Sequence, residues 1–270
     1  MAYNLLAGKK GIIFGALDEQ SMAWKAALKV HEEGGSFTLT NAPLAMRMGK
    51  INDLAASCNA EVIPADATSL EDLENLVNKS TEILGGKIDF ILHSIGMSPN
   101  VRKSRPYGDL NYDFFIKTLD ISALSFHKIM QTAEKLDALN DHASILALSY
   151  IAAQRSFPYY LDMAEAKSLL ESIARSYGAR LGAAKKIRVN TISQSPTRTT
   201  AGSGIKGFDA FFDYAETQSP LGNASAEELA NYIVVMFSDL TRKVTMQNLF
   251  HDGGFSTSGI TGNLMDKLFG

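Results

Sequence analysis

Short apolar runs and helical stretches alternate about seven times along this chain, and that rhythm leaves few folds open. Gly11-Ile12-Ile13-Phe14-Gly15, 36–40, 61–64, 87–93, 144–150, 187–193 and 246–251 read as strands. Between them, Ser21 to Gly34, Ala45 to Cys58, Leu70 to Leu84 and Tyr160 to Leu181 read as helices, and Tyr112 to Leu136 as one helix or two in succession. Ser225-Ala226-Glu227-Glu228 is a capping box that opens a helix running to about Leu240. No linker, repeat or low-complexity tract divides the 270 residues. The pattern predicts the α/β class: a single doubly wound Rossmann-type domain over 1–270, with a parallel sheet of about seven strands and right-handed crossovers. Such a sheet binds ligands at the carboxyl ends of its strands, so the informative residues should follow each apolar run.

Composition narrows the function by exclusion. A net charge of −3 gives no footprint for nucleic acid or an anionic membrane. No apolar run approaches the roughly 20 residues of a membrane span, and the start lacks a basic flank and an apolar core, so neither membrane insertion nor a signal peptide is expected. One cysteine, Cys58, excludes an internal disulfide and a cysteine-rich metal site, and no metal is expected. The chain reads as cytoplasmic.

The first strand-to-helix turn, Gly15 to Lys25, lets the backbone turn tightly at Gly15. The helix opening near Ser21 and Met22 offers N–H groups to a pyrophosphate, although the turn is not a G-x-G-x-x-G and equally suits a plain αβ turn. After the second strand, Asn41-Ala42 supplies no carboxylate for a ribose 2′-hydroxyl, while Arg47 and Lys50 favour a 2′-phosphate or simply a solvated face. Asp66 and Ala67 suit adenine, or Asp66 caps the next helix. His93-Ser94-Ile95-Gly96 closes the fourth strand with a glycine that admits a ribose, its His being more often structural than catalytic.

Tyr150 ends the fifth strand, and Tyr160 and Lys167 follow on a helix-like stretch. Seven positions make almost two turns, which puts Tyr160 and Lys167 on one face. A phenol beside an ammonium releases its proton more readily, so the pair suits proton donation; a buried Tyr with a solvated Lys is the bland alternative. Pro196, Thr197, Arg198, Thr199, Thr200 and Ala201 follow the sixth strand, where a nicotinamide would lie. The Phe-rich stretch with Phe208, Phe211, Phe212 and Tyr214 suits a mobile helical lid over an apolar substrate, about 196–216, or a surface helix plugging the core.

Together these residues resemble the short-chain dehydrogenase/reductase superfamily and, within it, the bacterial enoyl-[acyl-carrier-protein] reductases of fatty-acid synthesis. Leu148-Ser149-Tyr150 followed by Tyr160 and Lys167 is the most specific element, joined by His93 to Gly96, Asp120-Ile121-Ser122, Arg188-Val189-Asn190, Ser203-Gly204-Ile205-Lys206 and Asp252-Gly253-Gly254-Phe255. The wider superfamily's Tyr-x-x-x-Lys is absent: Ala164 lies four after Tyr160 and Met163 four after Tyr159. The resemblance implies NADH-dependent reduction of the double bond of trans-2-enoyl-[acyl-carrier-protein] thioesters, with NADPH not excluded. It gives Tyr160 the thioester carbonyl, Lys167 the nicotinamide ribose and Tyr150 a place near the acyl chain. Gly15, Ser21, Met22, Ala42, Asp66, Ala67, Ser94, Ile95, Gly96 and the 196–201 run would hold cofactor; Ser98, Phe208 and Phe211 would touch substrate.

Several positions depart from the family pattern. Lys25 replaces a glycine beside the bulky Trp24, so the packing there must differ. Ser193-Gln194-Ser195-Pro196 replaces the commoner Ser-Ala-Gly-Pro and puts a side chain close to the nicotinamide. The competing readings are a carbonyl or alcohol oxidoreductase of the wider superfamily and a dinucleotide-binding protein without turnover. The family implies a homotetramer, with a dimer as the alternative, and the apolar helices 114–136 and 169–181 offer interfaces.

Overall fold

The computed structural model describes residues 2–47, 49–200, 202 and 206–269. In chain order come β1 (Lys10–Phe14), α1 (Met22–Glu32), β2 (Ser36–Thr40), α2 (Pro43–Met46), α3 (Ile51–Cys58), β3 (Glu61–Val62), α4 (Leu70–Ile83) and β4 (Ile88–His93). Next are α5 (Pro99–Arg102), α6 (Tyr112–Leu119), a π-helical turn over Asp120–Leu124, α7 (Ser125–Lys135) and β5 (Leu139–Ser149). The remainder holds α8 (Asp162–Lys185), β6 (Arg188–Gln194), α9 (Phe208–Gln218), α10 (Ala226–Phe237), β7 (Asn248–His251) and α11 (Gly262–Phe269). The strands make one seven-stranded sheet in the order β3-β2-β1-β4-β5-β6-β7. Every neighbouring pair is parallel. The α/β class and the seven-stranded parallel sheet agree with the sequence reading, and the order reverses between β1 and β4, where such sheets open a crevice.

Successive strand residues face opposite sides, so each apolar run feeds two cores. Ile12, Phe14, Ile91 and Ile145 pack with Leu73 and Leu76 of α4, Phe126 and Ile129 of α7, and Leu170 of α8. Ile13, Leu39, Phe90, Leu92 and Leu146 pack with Trp24 and Ala27 of α1, Leu54 of α3, and Leu229, Ile233 and Phe237 of α10. Covered on both faces, the sheet presents its strand ends as the place left for chemistry. The capping box is present: the Ser225 hydroxyl accepts from Glu228 N at 3.1 Å, and the Glu228 carboxylate accepts from Ser225 N at 2.7 Å.

Several boundaries differ from the sequence reading. The helix expected over 45–58 is two, because the chain turns in to meet the first βα turn. There Lys50 N donates to Leu17 O at 2.8 Å, and a Cβ on Gly49 would stand 2.4 Å from that oxygen. The 112–136 stretch runs on through the π-helical turn. β5 starts at Leu139, five residues before the expected 144, pairing with Ile88 ahead of a register irregularity. α10 stops at Phe237, short of Leu240. α5 and α11 were not expected, and α11 leaves Leu268 and Phe269 exposed, so it has no buried stripe to betray it.

Candidate active site

β1 ends against β4 with almost no room between them. Gly15 has φ +92°, and a Cβ there would lie 2.0 Å from Ser94 O, so only glycine fits. Ser21 stands at the N-cap of α1, yet its side chain makes no cap hydrogen bond. Its hydroxyl donates to Asp18 O at 2.8 Å and accepts from Leu17 N at 3.3 Å, which folds the turn onto itself and leaves the first turn of α1, with Met22, free of a side-chain cap. Lys25 points away, pairing with Glu227 at 3.0 Å, while Trp24 fills the core beside it. That is the altered packing the sequence required.

Further along the strand ends, Asn41 Nδ2 donates to Ala16 O at 3.0 Å and its side-chain oxygen accepts from Ala42 N at 2.9 Å, bracing the turn beside Ala42. Asp66 accepts from Thr68 N and Thr68 Oγ1 at 2.9 and 2.7 Å, and it is Ser69 that caps α4, accepting from Asp72 N. Ala67 is buried and Asp66 exposed. His93 Nε2 lies 2.8 Å from Ser125 Oγ, whereas its Nδ1 is buried without a partner among the described residues. Burial, and then the charge of Lys167, pull the His93 imidazolium down to about 3, so the ring is neutral at pH 7.

Tyr150, Tyr160 and Lys167 converge at the end of β5, but not by the route the sequence suggested. Tyr160 precedes α8, which begins at Asp162 after Leu161 with φ +48° and ψ −138°; Tyr159 before it has φ +67°. Two residues in the left-handed region redirect the chain, so helical spacing does not place Tyr160 and Lys167 on one face. Tyr160 packs instead on Tyr150, with ring centroids 5.1 Å apart. Lys167 is 7% exposed, and its Nζ donates to Leu148 O at 2.7 Å. A Cβ on Gly96 would stand 3.7 Å from that Nζ, which puts the ammonium beside the exposed edge of the Ser94-Ile95-Gly96 shelf.

The electrostatics also correct the sequence reading. Burial pushes the Tyr160 phenol up, not down, and no ammonium offsets it. Burial raises Tyr150 as well, with Tyr160 and Asp252 adding to the effect. Burial lowers Lys167 to about 8, against the opposing pull of Glu171. Both phenols are therefore neutral O–H groups across the ordinary pH range, and the Tyr150 oxygen has no partner among the described residues.

Over this floor lies an aromatic wall. Phe211 of α9 meets Tyr150 at 6.1 Å, Phe157 at 5.0 Å and Phe255 at 6.5 Å between centroids, mostly edge to face. Phe208 stands apart, packing on Phe212, over which Arg198 lies. Arg198 is paired with Asp209 and, at 3.9 Å, Asp213, both of α9, and Thr200 Oγ1 donates to Asp18 at 2.6 Å. Pro196 and Thr199 are buried and Thr197 is half-buried. Ala201 and the 203–205 part of the Ser203-to-Lys206 motif lie outside the described residues.

Two expected contacts need correction. The Ser98 hydroxyl is buried and donates to Asp162 at 2.6 Å, so it is committed inside the protein and not to a substrate. Gln194 is held within the protein: it bonds His251 Nδ1 at 2.7 Å, Ala224 O at 3.0 Å and Thr197 Oγ1 at 3.2 Å, so its side chain is already taken up. Sequence reasoning missed Phe157 and Phe255 as wall residues, Asp162, and Glu171. Glu171 is buried one turn beyond Lys167, accepting from Ser149 Oγ at 2.7 Å and Gln154 Nε2 at 3.0 Å, and its i+4 spacing from Lys167 was the available signal.

A parallel sheet in this order, with a glycine-tight first turn, an uncapped α1 and a buried lysine at the strand ends, defines a dinucleotide-binding α/β oxidoreductase fold. A family model described as Enoyl-(Acyl carrier protein) reductase matches residues 15–256. The chain belongs to the enoyl-[acyl-carrier-protein] reductase family, within the short-chain dehydrogenases/reductases. It is 34% identical over 269 residues to the NADH-named enoyl-[acyl-carrier-protein] reductase 1 of Rhizobium meliloti, covering 96% of this chain and 94% of the relative. The FabI–NADH complex of Alistipes finegoldii matches with TM-score 0.96 and 63% identity, over 97% of this chain and 93% of that one. The Bacillus cereus enzyme with NADP+ and an indole naphthyridinone matches with TM-score 0.88 and 29% identity, over 96% and 100%.

Proposed function

We infer that this chain reduces the carbon–carbon double bond of trans-2-enoyl-[acyl-carrier-protein] thioesters with NADH, the last step of each fatty-acid elongation cycle. The observation that carries the reading is the buried Lys167 ammonium set between Leu148 O and the Gly96 shelf, beneath paired neutral tyrosines. The residues fit a dinucleotide. Gly15 leaves a cradle that a Cβ would fill, α1 has no side-chain cap, and Tyr150 and Ser193 keep buried hydroxyls without partners among the described residues. Gly15 and Met22 would hold the pyrophosphate, Ala42, Asp66 and Ala67 the adenosine, Ile95, Gly96 and Lys167 the nicotinamide ribose, and 196–200 the nicotinamide side.

When bound, the reduced nicotinamide supplies the hydride to the β-carbon. The chain's own part is donation and orientation. Lys167 is anchored through Leu148 O and keeps two further N–H donors, which would hold the nicotinamide ribose. Tyr160, kept protonated by burial, donates its O–H to the thioester oxygen as negative charge gathers there. Tyr150, Phe157, Phe211 and Phe255 exclude water from the acyl chain.

We further propose that the unit is 1–270 with its lid over 196–216, that it assembles as a homotetramer, and that it works in the cytoplasm. Exposed Tyr112 and Ile116 on α6 supply apolar surface for assembly, and no helix among the described residues is long and apolar enough to cross a membrane. Mixing the protein with NADH and a 2-enoyl thioester should bleach the nicotinamide absorbance, and Tyr160→Phe should lower kcat far more than NADH affinity. Absence of turnover with both NADH and NADPH sinks the reading; turnover of ketoacyl thioesters alone would replace it with a carbonyl reductase.

A further inference from the structure

Asp162 is the first residue of α8 and is fully buried. A carboxylate so placed is destabilising unless its oxygens are met by donors. No cation pairs with it among the described residues; its partners are neutral. Ser98 Oγ donates to Oδ1 at 2.6 Å, and Asn100 Nδ2 donates to Oδ2 at 2.9 Å. Thr118 Oγ1 lies 2.7 Å from Oδ2 and 2.8 Å from Phe114 O, sharing one proton between them. The N-terminus of a 24-residue helix adds its partial positive charge. Asn100 also clasps Asn111 in both directions, N–H to carbonyl at 3.1 Å each way, so this carboxylate ties both ends of the α5–α6 connection to the start of α8.

What the carboxylate holds is the site. Tyr160 sits two residues before it, between Tyr159 and Leu161, both at positive φ, and such backbone persists only where its surroundings determine it. The Leu161 side chain is packed with Val101, Met163 and Ala166, so α5 and α8 grip the turn from both sides. Ser98 sits two residues after Gly96, whose edge faces Lys167 Nζ. One group thus joins the backbone carrying the phenol to the shelf facing the ammonium.

We propose that Asp162 is a positioning residue: by gathering Ser98, Asn100 and Thr118 onto one buried carboxylate, it fixes the strained backbone that aims Tyr160 at the substrate oxygen. This rests on the enoyl-thioester reductase reading above. Asp162→Asn keeps the volume but removes the charge and one acceptor: with its oxygen toward Asn100 and Thr118, its amide N–H faces Ser98 Oγ, whose hydroxyl proton loses the oxygen it now donates to. The test is a cycle of Asp162→Asn and Tyr160→Phe, with kcat and KM measured for NADH and a 2-enoyl thioester, and the NADH dissociation constant read separately from nicotinamide fluorescence. Asp162→Asn should lower kcat about tenfold or more while NADH affinity stays within about threefold; in the Tyr160→Phe background it should change kcat less than about threefold. If Asp162→Asn does not fold, Ser98→Ala and Thr118→Val each remove one donor, and should show a smaller kcat loss that likewise vanishes without the phenol. Equal losses in both backgrounds, unchanged kcat, or a parallel loss of NADH affinity would overturn the proposal. A wild-type protein that turns over no enoyl thioester removes the functional reading itself, whereas an active wild type with an additive cycle removes only the role of Asp162.

Discussion

Replacing Lys167 with methionine is expected to stabilise the cofactor-free fold at neutral pH while removing the ammonium that the reaction uses. Burial brings this lysine from its ordinary 10.5 to about 8. That fall means the folded state holds the proton about 3 kcal/mol less favourably than the unfolded chain. Below pH 8 both states carry the proton, so the whole penalty is present. Between pH 8 and 10.5 the unfolded chain holds a proton that the folded one has released, and stability rises with pH. Methionine packs in the same slot without charge but gives up the hydrogen bond to Leu148 O, worth about 1 kcal/mol. The net gain at pH 7 is about 2 kcal/mol, and it should shrink and reverse before pH 10.5. Urea unfolding of wild type and Lys167→Met at fixed protomer concentration, from pH 7 to 10, measures it. A variant less stable at pH 7, or a difference that does not change with pH, would refute the account of the buried ammonium.

Glu171→Gln removes the charge that holds Lys167 up, and the exposed Gln154 can turn its amide to accept from the new side chain. The alkaline limb of kcat/KM should therefore move down by about 1–2 pH units, read from rate profiles, with stability little changed. Gly15→Ala would force a Cβ to 2.0 Å from Ser94 O at φ +92°, so thermal unfolding should show a loss of about 2 kcal/mol or more, accompanied by weakened NADH binding.

The fold was legible because a sheet covered on both faces writes itself as apolar runs, and Ile12 to Phe14 or Ile145 to Leu148 needed no other signal. The strand ends followed from the fold, which is why Gly15, Gly96 and Lys167 stood where a ligand would be. Tyr160 was assigned to the correct neighbourhood by the wrong geometry: sequence spacing assumes continuous helix, and nothing in Pro158-Tyr159-Tyr160-Leu161 announces two positive φ values without a glycine. Ser98 and Gln194 were misread for a related reason. A polar side chain near a site looks available until the structure shows Asp162 and His251 already holding it. Asp162 itself was hidden, since an acidic residue in the first turn of a helix ordinarily faces water.

The π-helical turn at Asp120–Leu124 acts as a phase shifter. One additional residue rotates everything after it by about 100° relative to an uninterrupted α-helix. It lets Thr118 reach Asp162 on the near side of the turn while Ser125 reaches His93 and Met97 N reaches Ser122. Removing a single residue between 120 and 124 would restore regular winding and leave those two ends of the helix aimed at different targets. The length of this segment is thus fixed by angle, more tightly than by the identity of any side chain within it.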